Sequence, residues 1–198
     1  MANLINFNPQ LTTSPQNTFQ VETEGYAQGA YFDDPTTRMW LLQGQLASTV
    51  AQPIWGGMAI AEGVNAPNTN QGGNPLTLAT GYTQYGGFTV FNQASNMVVT
   101  PGNSVQISVA GMSVSYFRQG SNARIAVQCN STLAAAIDAG LTNQEVSWDF
   151  TNQILIPFST TALPVKVLSV NTNSKIVSYN STTGAVTYTT GTCAIIQI

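Results

Sequence analysis

The chain has no histidine. The usual side chain for proton transfer near neutral pH is therefore absent, and neither a Ser–His–Asp triad nor a Cys–His pair can be assembled. Charge is also scarce: 5 basic and 8 acidic residues in 198, or 7%. The five cations (Arg38, Arg118, Arg124, Lys166 and Lys175) are scattered and the net charge is −3, so no basic run exists to neutralise phosphates, and nucleic acid is not an expected partner. No apolar run approaches the roughly 18 residues of a membrane helix, so no membrane partner is expected either. The first residues, MANLINFNPQLTTSPQ, have neither a basic n-region nor an apolar h-region. They do not read as a secretory signal, and synthesis in a cytoplasm is the expectation, with a mature secreted chain carrying an added Met as the alternative. There are only two cysteines, Cys129 and Cys193, with no CxxC spacing. Zinc and haem ligation are not expected, and no metal or cofactor is assigned. The thiols read as buried and free, with a disulfide as the alternative.

What the chain does have is amide. There are 18 Asn and 16 Gln, 34 against 13 charged residues. Solubility through amides and hydroxyls gives a surface with little electrostatic self-repulsion, suited to close packing against other copies or a large partner. Hydrophobic residues make up 43%, enough for one core in a chain of this length.

Residues 1–20 read as an extended N-terminal arm, with a disordered tail as the alternative. Leu4, Ile5, Phe7, Leu11 and Phe19 follow no regular spacing but need somewhere to dock. Residues 21–198 read as a single β-rich domain. RMWLLQGQLA and PIWGGMAIAEG are strand-like runs punctuated by glycine, and residues 63–75 are a loop. VQISVAGMSVSYFR reads as one strand whose apolar face switches near Gly111, as a β-bulge requires. ARIAVQC, VSWDF, QILIPF and LPVKVLSV follow as strands, then a hairpin KIVSYN–STTG–AVTYTT and a terminal TCAIIQI. NSTLAAAIDAG predicts one short helix, capped by Ser131 or Thr132 and closed by Gly140. The expected fold is all-β, a β-sandwich or jelly roll of about ten strands.

Chemistry-bearing motifs are missing: no GxGxxG after a strand and no GxxxxGK[ST]. Two-carboxylate glycoside hydrolysis is the remaining option, with Glu22, Glu24, Asp33, Asp34, Glu62, Glu145 and Asp149 as the carboxylates. The densest charge lies in YFDDPTTRMW. Asp33 and Asp34 before Pro35 fit a turn or a helix start, and Arg38 reaches back toward them. A structural turn is the simplest reading, with an inter-subunit salt bridge as the alternative. No catalytic residue is assigned and the chain is not expected to be an enzyme. The two NST sequons, at Asn130 and Asn180, are expected by chance at this composition.

The segment Gly25–Asp34, of the form G-x-x-x-G-A-Y-x-D-D, and the segment Trp55–Ile60, WGGMAI, resemble the bacteriophage structural cement proteins, which decorate and lock tailed-phage capsids. The likeness spans VETEGYAQ through AIAEGV (residues 21–64), and WDFTNQILIPF (148–158) is similar in character. The resemblance implies a β-rich virion protein on the exterior of the phage head. Its partners would be the major capsid protein and itself, as a homodimer or homotrimer. It carries over no catalytic residue. Candidate inter-subunit contacts are Leu4, Ile5, Phe7 and Leu11 of the arm, with Asp33, Asp34 and Arg38. Two other readings compete. One is a pilin- or adhesin-like surface module, which a Cys129–Cys193 disulfide would favour. The other is a carbohydrate-binding β-sandwich stacking a sugar on Trp40, Trp55 or Trp148. All three tryptophans sit among apolar neighbours, so core packing is their expected role.

Overall fold

The computed structural model describes residues 25–32, 35–65, 73–90, 98–99, 105–138 and 145–198. The arm expected at residues 1–20 lies outside them. The described residues form two short helices and twelve strands, so the all-β expectation holds. In chain order these are α1 (Pro35–Arg38), β1 (Leu42–Leu46), β2 (Ala59–Glu62), β3 (Asn74–Leu78), β4 (Gly87–Val90), β5 (Val98–Val99), β6 (Gln106–Ile107) and β7 (Ser113–Arg118). Then come β8 (Arg124–Gln128), α2 (Ser131–Asp138), β9 (Val146–Asp149), β10 (Ile154–Pro157), β11 (Lys166–Tyr179) and β12 (Val186–Gln197).

Five strands close a barrel in the order β1-β3-β2-β4-β7, and β7 returns to β1. All neighbours are antiparallel except β1 and β3. Alternation along the strands divides the side chains into two cores. Leu46, Ile60, Leu76, Val114 and Tyr116 fall on one face and form one cluster with Ile54, Trp55 and Met58. Ala59, Phe88, Val90 and Phe117 fall on the other face. That second face packs against Ile125 and Val127 of β8, Ala194 and Ile196 of β12, and Trp148 and Leu155 of β9–β10. It is therefore the outside of the barrel, and the Leu46–Tyr116 set is its filling. Each fully buried large apolar side chain contributes roughly 1.5–3 kcal/mol.

The β11–β12 hairpin spans both cores. Near its open end, Ala194 and Ile196 face the outer core. Near its tip, Val177 and Val186 face the barrel-side cluster, with Tyr179 beside Trp55. The sequence suggested two strands on each side of a short hairpin. Instead, NTNS (171–174) is absorbed as a register shift inside a single 14-residue β11, and AVTYTT and TCAIIQI fuse into one β12.

Three other expectations change. The run predicted from Arg38 as strand begins with the end of α1 and a turn, and β1 starts only at Leu42. Residues 105–118 are two strands, β6 and β7, separated by a turn in which Met112 N–H bonds the Val109 carbonyl. Gly111 sits in that turn at φ 81°, so the switch of face is a change of sheet and not a bulge. Helix α2 is where expected, but its cap is Asn130, whose Oδ1 accepts the Thr132 N–H at 2.8 Å. Residues 66–72 of the predicted loop, and Gly140, lie outside the described residues.

Candidate functional site

The most exposed large apolar pair in one stretch is Met39 and Trp40, 83% and 58% exposed. They stand at the end of α1, where Pro35 opens the helix at the position a proline suits best. The segment is held at both ends. Upstream, Tyr31 bridges Ile125, Phe32 N–H bonds the Arg124 carbonyl at 2.9 Å, and the Arg124 guanidinium lies 5.1 Å from the Phe32 ring centre. Downstream, Leu41 packs on the outer core and leads into β1. Between them, Met39 and Trp40 N–H groups bond the Thr36 and Thr37 carbonyls, and Thr37 is buried. With Thr37 and Leu41 directed inward, Arg38, Met39 and Trp40 are presented to solvent on a fixed turn.

Trp40 thus departs from the expected core role, which Trp55 and Trp148 do fill at 7% and 3% exposure. Of the residues named from the sequence as contacts, Arg38 is exposed in this turn. Asp33 and Asp34 lie outside the described residues, as do Leu4, Ile5, Phe7 and Leu11. The carboxylates Glu22 and Glu24 do too.

Gly29 and Gly56 bring the strap 25–32 against the turn before β2. Gly29 adopts φ 86° and passes so close to Gly56 that an added Cβ would sit 2.4 Å from the Gly56 Cα. Gly29 N–H bonds Ala126 O at 2.7 Å, and neighbouring Gln28, itself buried, accepts the Val177 N–H at 2.8 Å. These glycines allow one backbone to cross another and dock the strap 25–32 onto β8 and β11. They are fold requirements, and they fix the base on which the Arg38–Trp40 turn is mounted.

Two polar clusters gather around residues of which the sequence singled out only Glu62 and Asp149, as candidate carboxylates. At one end of the barrel, Glu62 of β2 accepts hydrogen bonds from Tyr116 Oη at 2.8 Å and Arg118 Nε at 2.7 Å, with Arg118 Nη2 and Asn74 Nδ2 also bound to it. The Arg118 guanidinium, helped by Asn74 and Tyr116 against the opposing effect of burial, holds the Glu62 carboxyl down at about 2. Tyr116 is pushed up to about 12, by burial first, then by its hydrogen bond to Glu62 and the Glu62 charge. Glu62 is a locked anion pinning β2, β3 and β7, poorly matched to proton transfer near neutral pH. The available signal was a rare charge at the end of an apolar strand.

The second cluster is Gln153, buried at φ 57° where the β9–β10 turn ends. Its Oε1 accepts Ala59 N–H at 2.8 Å and Trp148 Nε1–H at 3.3 Å, while Nε2 donates to Phe150 O at 2.9 Å and Ala79 O at 3.4 Å. One amide thereby ties this hairpin to the barrel. The turn itself is built on Asp149, whose Oδ1 accepts the Thr151 and Asn152 N–H groups. Burial raises the Asp149 carboxyl, but the Asn152 side chain and the Asn152 and Thr151 N–H groups outweigh it and hold the group below its ordinary value. Among the described residues no cluster of three or more His, Cys, Asp or Glu is placed to hold a metal ion.

Both cysteines are buried and free. Cys193 pairs with Gln128, so these two share a face of the sheet, and Cys129, one residue on, points to the other. Cys129 belongs to the outer core with Val127. The sheet itself separates the thiols, which removes the disulfide alternative. Burial pushes each thiol up to about 12. The sequon asparagines have structural tasks: Asn130 caps α2, and Asn180 Oδ1 accepts Thr182 and Thr183 N–H in the tip of the β11–β12 hairpin. Compared with protein-family models, with curated proteins and with solved structures, the chain matches none.

Proposed function

We propose that the chain is a virion structural protein, a cement or decoration protein that binds the outside of a phage head and clamps neighbouring major capsid subunits. The observation that carries the reading is the exposed Arg38–Met39–Trp40 turn, lying within the very stretch, residues 21–64, that resembles the cement family. Trp, Met and Arg are the side chains most enriched at the centres of protein interfaces, where a rigid aromatic anchor supplies much of the binding energy. Mounting them on a turn stapled to β8 and β1 keeps the ordering cost of binding low. The low-charge, amide-rich composition supports the same reading, because many copies can crowd onto a lattice without mutual repulsion. Catalysis is no part of the proposal: a chain without histidine whose Glu62 is locked as an anion is better suited to binding. A β-sandwich or jelly-roll body belongs to the same reading, supported by the packing of the β8–β12–β11 sheet across a shared core from the barrel wall.

Exposure of Trp40 also favours a second reading, a sugar-stacking platform on a carbohydrate-binding module. The pilin-like alternative has lost the disulfide that would have favoured it. Purified virions separate the first two. Cement requires that the chain co-sediment with heads at a fixed copy ratio to the major shell protein, and that Trp40→Ala or Met39→Ala release it while the β-sheet circular dichroism is retained. Binding to glycans, lost in Trp40→Ala, together with no association with heads, would replace it by the carbohydrate reading.

A further inference from the structure

We infer that the strap 25–32 is an exchangeable clasp: it fills a one-strand slot between β8 and β11, and at high local concentration it leaves that slot for the same slot of a second copy, joining two chains reciprocally.

The slot is made by two strands that do not pair with each other. Strands β8 and β11 are the outer strands of the β11–β12–β8 sheet, and the strap bonds both. On β8, Gly29 N–H bonds the Ala126 carbonyl at 2.7 Å, Ala126 N–H bonds the Ala30 carbonyl at 2.8 Å, and Phe32 N–H bonds the Arg124 carbonyl at 2.9 Å. On β11, Lys175 N–H bonds the Tyr26 carbonyl at 2.7 Å and Gln28 N–H bonds the Lys175 carbonyl at 2.8 Å. The Gln28 side chain accepts a further β11 amide, Val177 N–H. The strap thus runs parallel to β11 and antiparallel to β8, and closes the sheet between its two edges.

Little apolar packing holds it there. Four of its eight residues are glycine or alanine, and none belongs to the fully buried apolar set of either core. Tyr31 packs half-buried on the outer core, edge-on to Phe117. The tightest approach is backbone on backbone, Gly29 against Gly56. Retention therefore comes chiefly from hydrogen bonds, each of small net worth because water replaces them on opening. Segments held in this way open ahead of the rest of a domain. The chain is anchored again from α1 onward, where Thr37 is buried and Leu41 packs on the outer core, so the strap can swing out while β1 stays in place.

The occupant that fits an open slot is the strap of a second copy. Every bond lost in one chain is remade in the other, so the closed monomer and the exchanged pair differ little in energy and concentration decides between them. The crossing at Gly56 makes the slot selective: a strand with any side chain at the position of Gly29 would run into the Gly56 backbone. Reciprocal exchange closes at two chains. It gives the self-association in the function proposed above a mechanism without resting on the capsid, and it is tested on free protein, so its failure leaves the capsid reading standing.

The test uses two single variants at positions that face each other across the slot, A27C and K175C. Neighbouring strands lie about 4.8 Å apart, within reach of a disulfide. In the closed monomer neither new thiol has a partner, and Cys129 and Cys193 are buried. Chains carrying A27C are mixed with chains carrying K175C at about 1 mM, warmed to just below melting, cooled and oxidised. The mixture should yield a covalent heterodimer of about 42 kDa, twice the 21.0 kDa chain, and either variant alone should stay monomeric. Native-state hydrogen exchange of the wild type supplies the second readout. Gln28, Gly29, Lys175 and Ala126 amides should exchange at one common rate, at least about tenfold faster than Val127 and Ala194 in the β8–β12 ladder. No heterodimer, equal dimer yields from the single variants, or Lys175 and Ala126 amides as slow as Val127 would overturn the inference.

Discussion

Replacing Gln153 by alanine should destabilise the protein far more than loss of one loop amide normally does. The truncation strips partners from two buried donors, Ala59 N–H and Trp148 Nε1–H. Each such orphan costs about 1–3 kcal/mol. The Ala59 bond is short and deserves the upper part of that range; the 3.3 Å Trp148 bond deserves the lower. Together with lost packing the loss should be about 3–4 kcal/mol, which in a chain of this size lowers Tm by roughly 10 °C. Gln153→Gly creates the same orphans but relieves the left-handed backbone, so it should be about 1 kcal/mol less harmful than Gln153→Ala. Gln153→Glu keeps the acceptor and replaces the Nε2 donor by an oxygen facing the Ala79 and Phe150 carbonyls. The carboxyl is then favoured in its protonated form when folded. With a folded pKa raised above the unfolded one, its deficit should shrink as pH falls. Urea melts followed by far-ultraviolet circular dichroism, with Trp148 fluorescence as a local probe, measure all three. A Gln153→Ala protein within about 0.5 kcal/mol of wild type would show that apolar packing alone holds the β9–β10 hairpin and would refute the reasoning.

Glu62→Gln should cost about 1–2 kcal/mol at pH 7, discounted because the Arg118 side chain is half exposed. The folded carboxyl sits at about 2, below its ordinary 4.5, so the wild-type advantage is fully present above pH 4.5 and fades as pH falls toward 2; melts of both proteins across that window should converge, and a constant difference would contradict the assignment. Cys129 and Cys193, buried and pushed up to about 12, should resist iodoacetamide at pH 8 until the protein unfolds, whereas labelling of the native protein at the rate of a free thiol would show that the outer core is open.

Local pattern made part of this fold legible. Ser131–Asp138 is a helix because small and apolar residues follow a capping asparagine, and Ile125 and Val127 alternate as a strand should. Barrel closure was not legible, because it depends on pairings such as parallel β1–β3 that no window of sequence contains. The full length of β11 was hidden by Asn171–Ser174, polar residues that interrupt the apolar alternation but are carried as a register shift. Trp40 was misplaced because RMWLL is apolar enough to pass for buried strand, while only the inward direction of Thr37 and Leu41 reveals its exposure. Gln153 was invisible for a different reason: one amide among 34 carries no signal until its four partners converge on it.

The central claim is that this chain stabilises an assembled shell by binding it better than its free subunits, and calorimetry of phage heads with and without the chain tests it most directly. Heads saturated with wild-type protein should rupture at a higher temperature than bare heads. Trp40→Ala should abolish the increase, and with so few charges in the chain the increase should change little between low and high salt. Equal rupture temperatures for decorated and bare heads would contradict cementing.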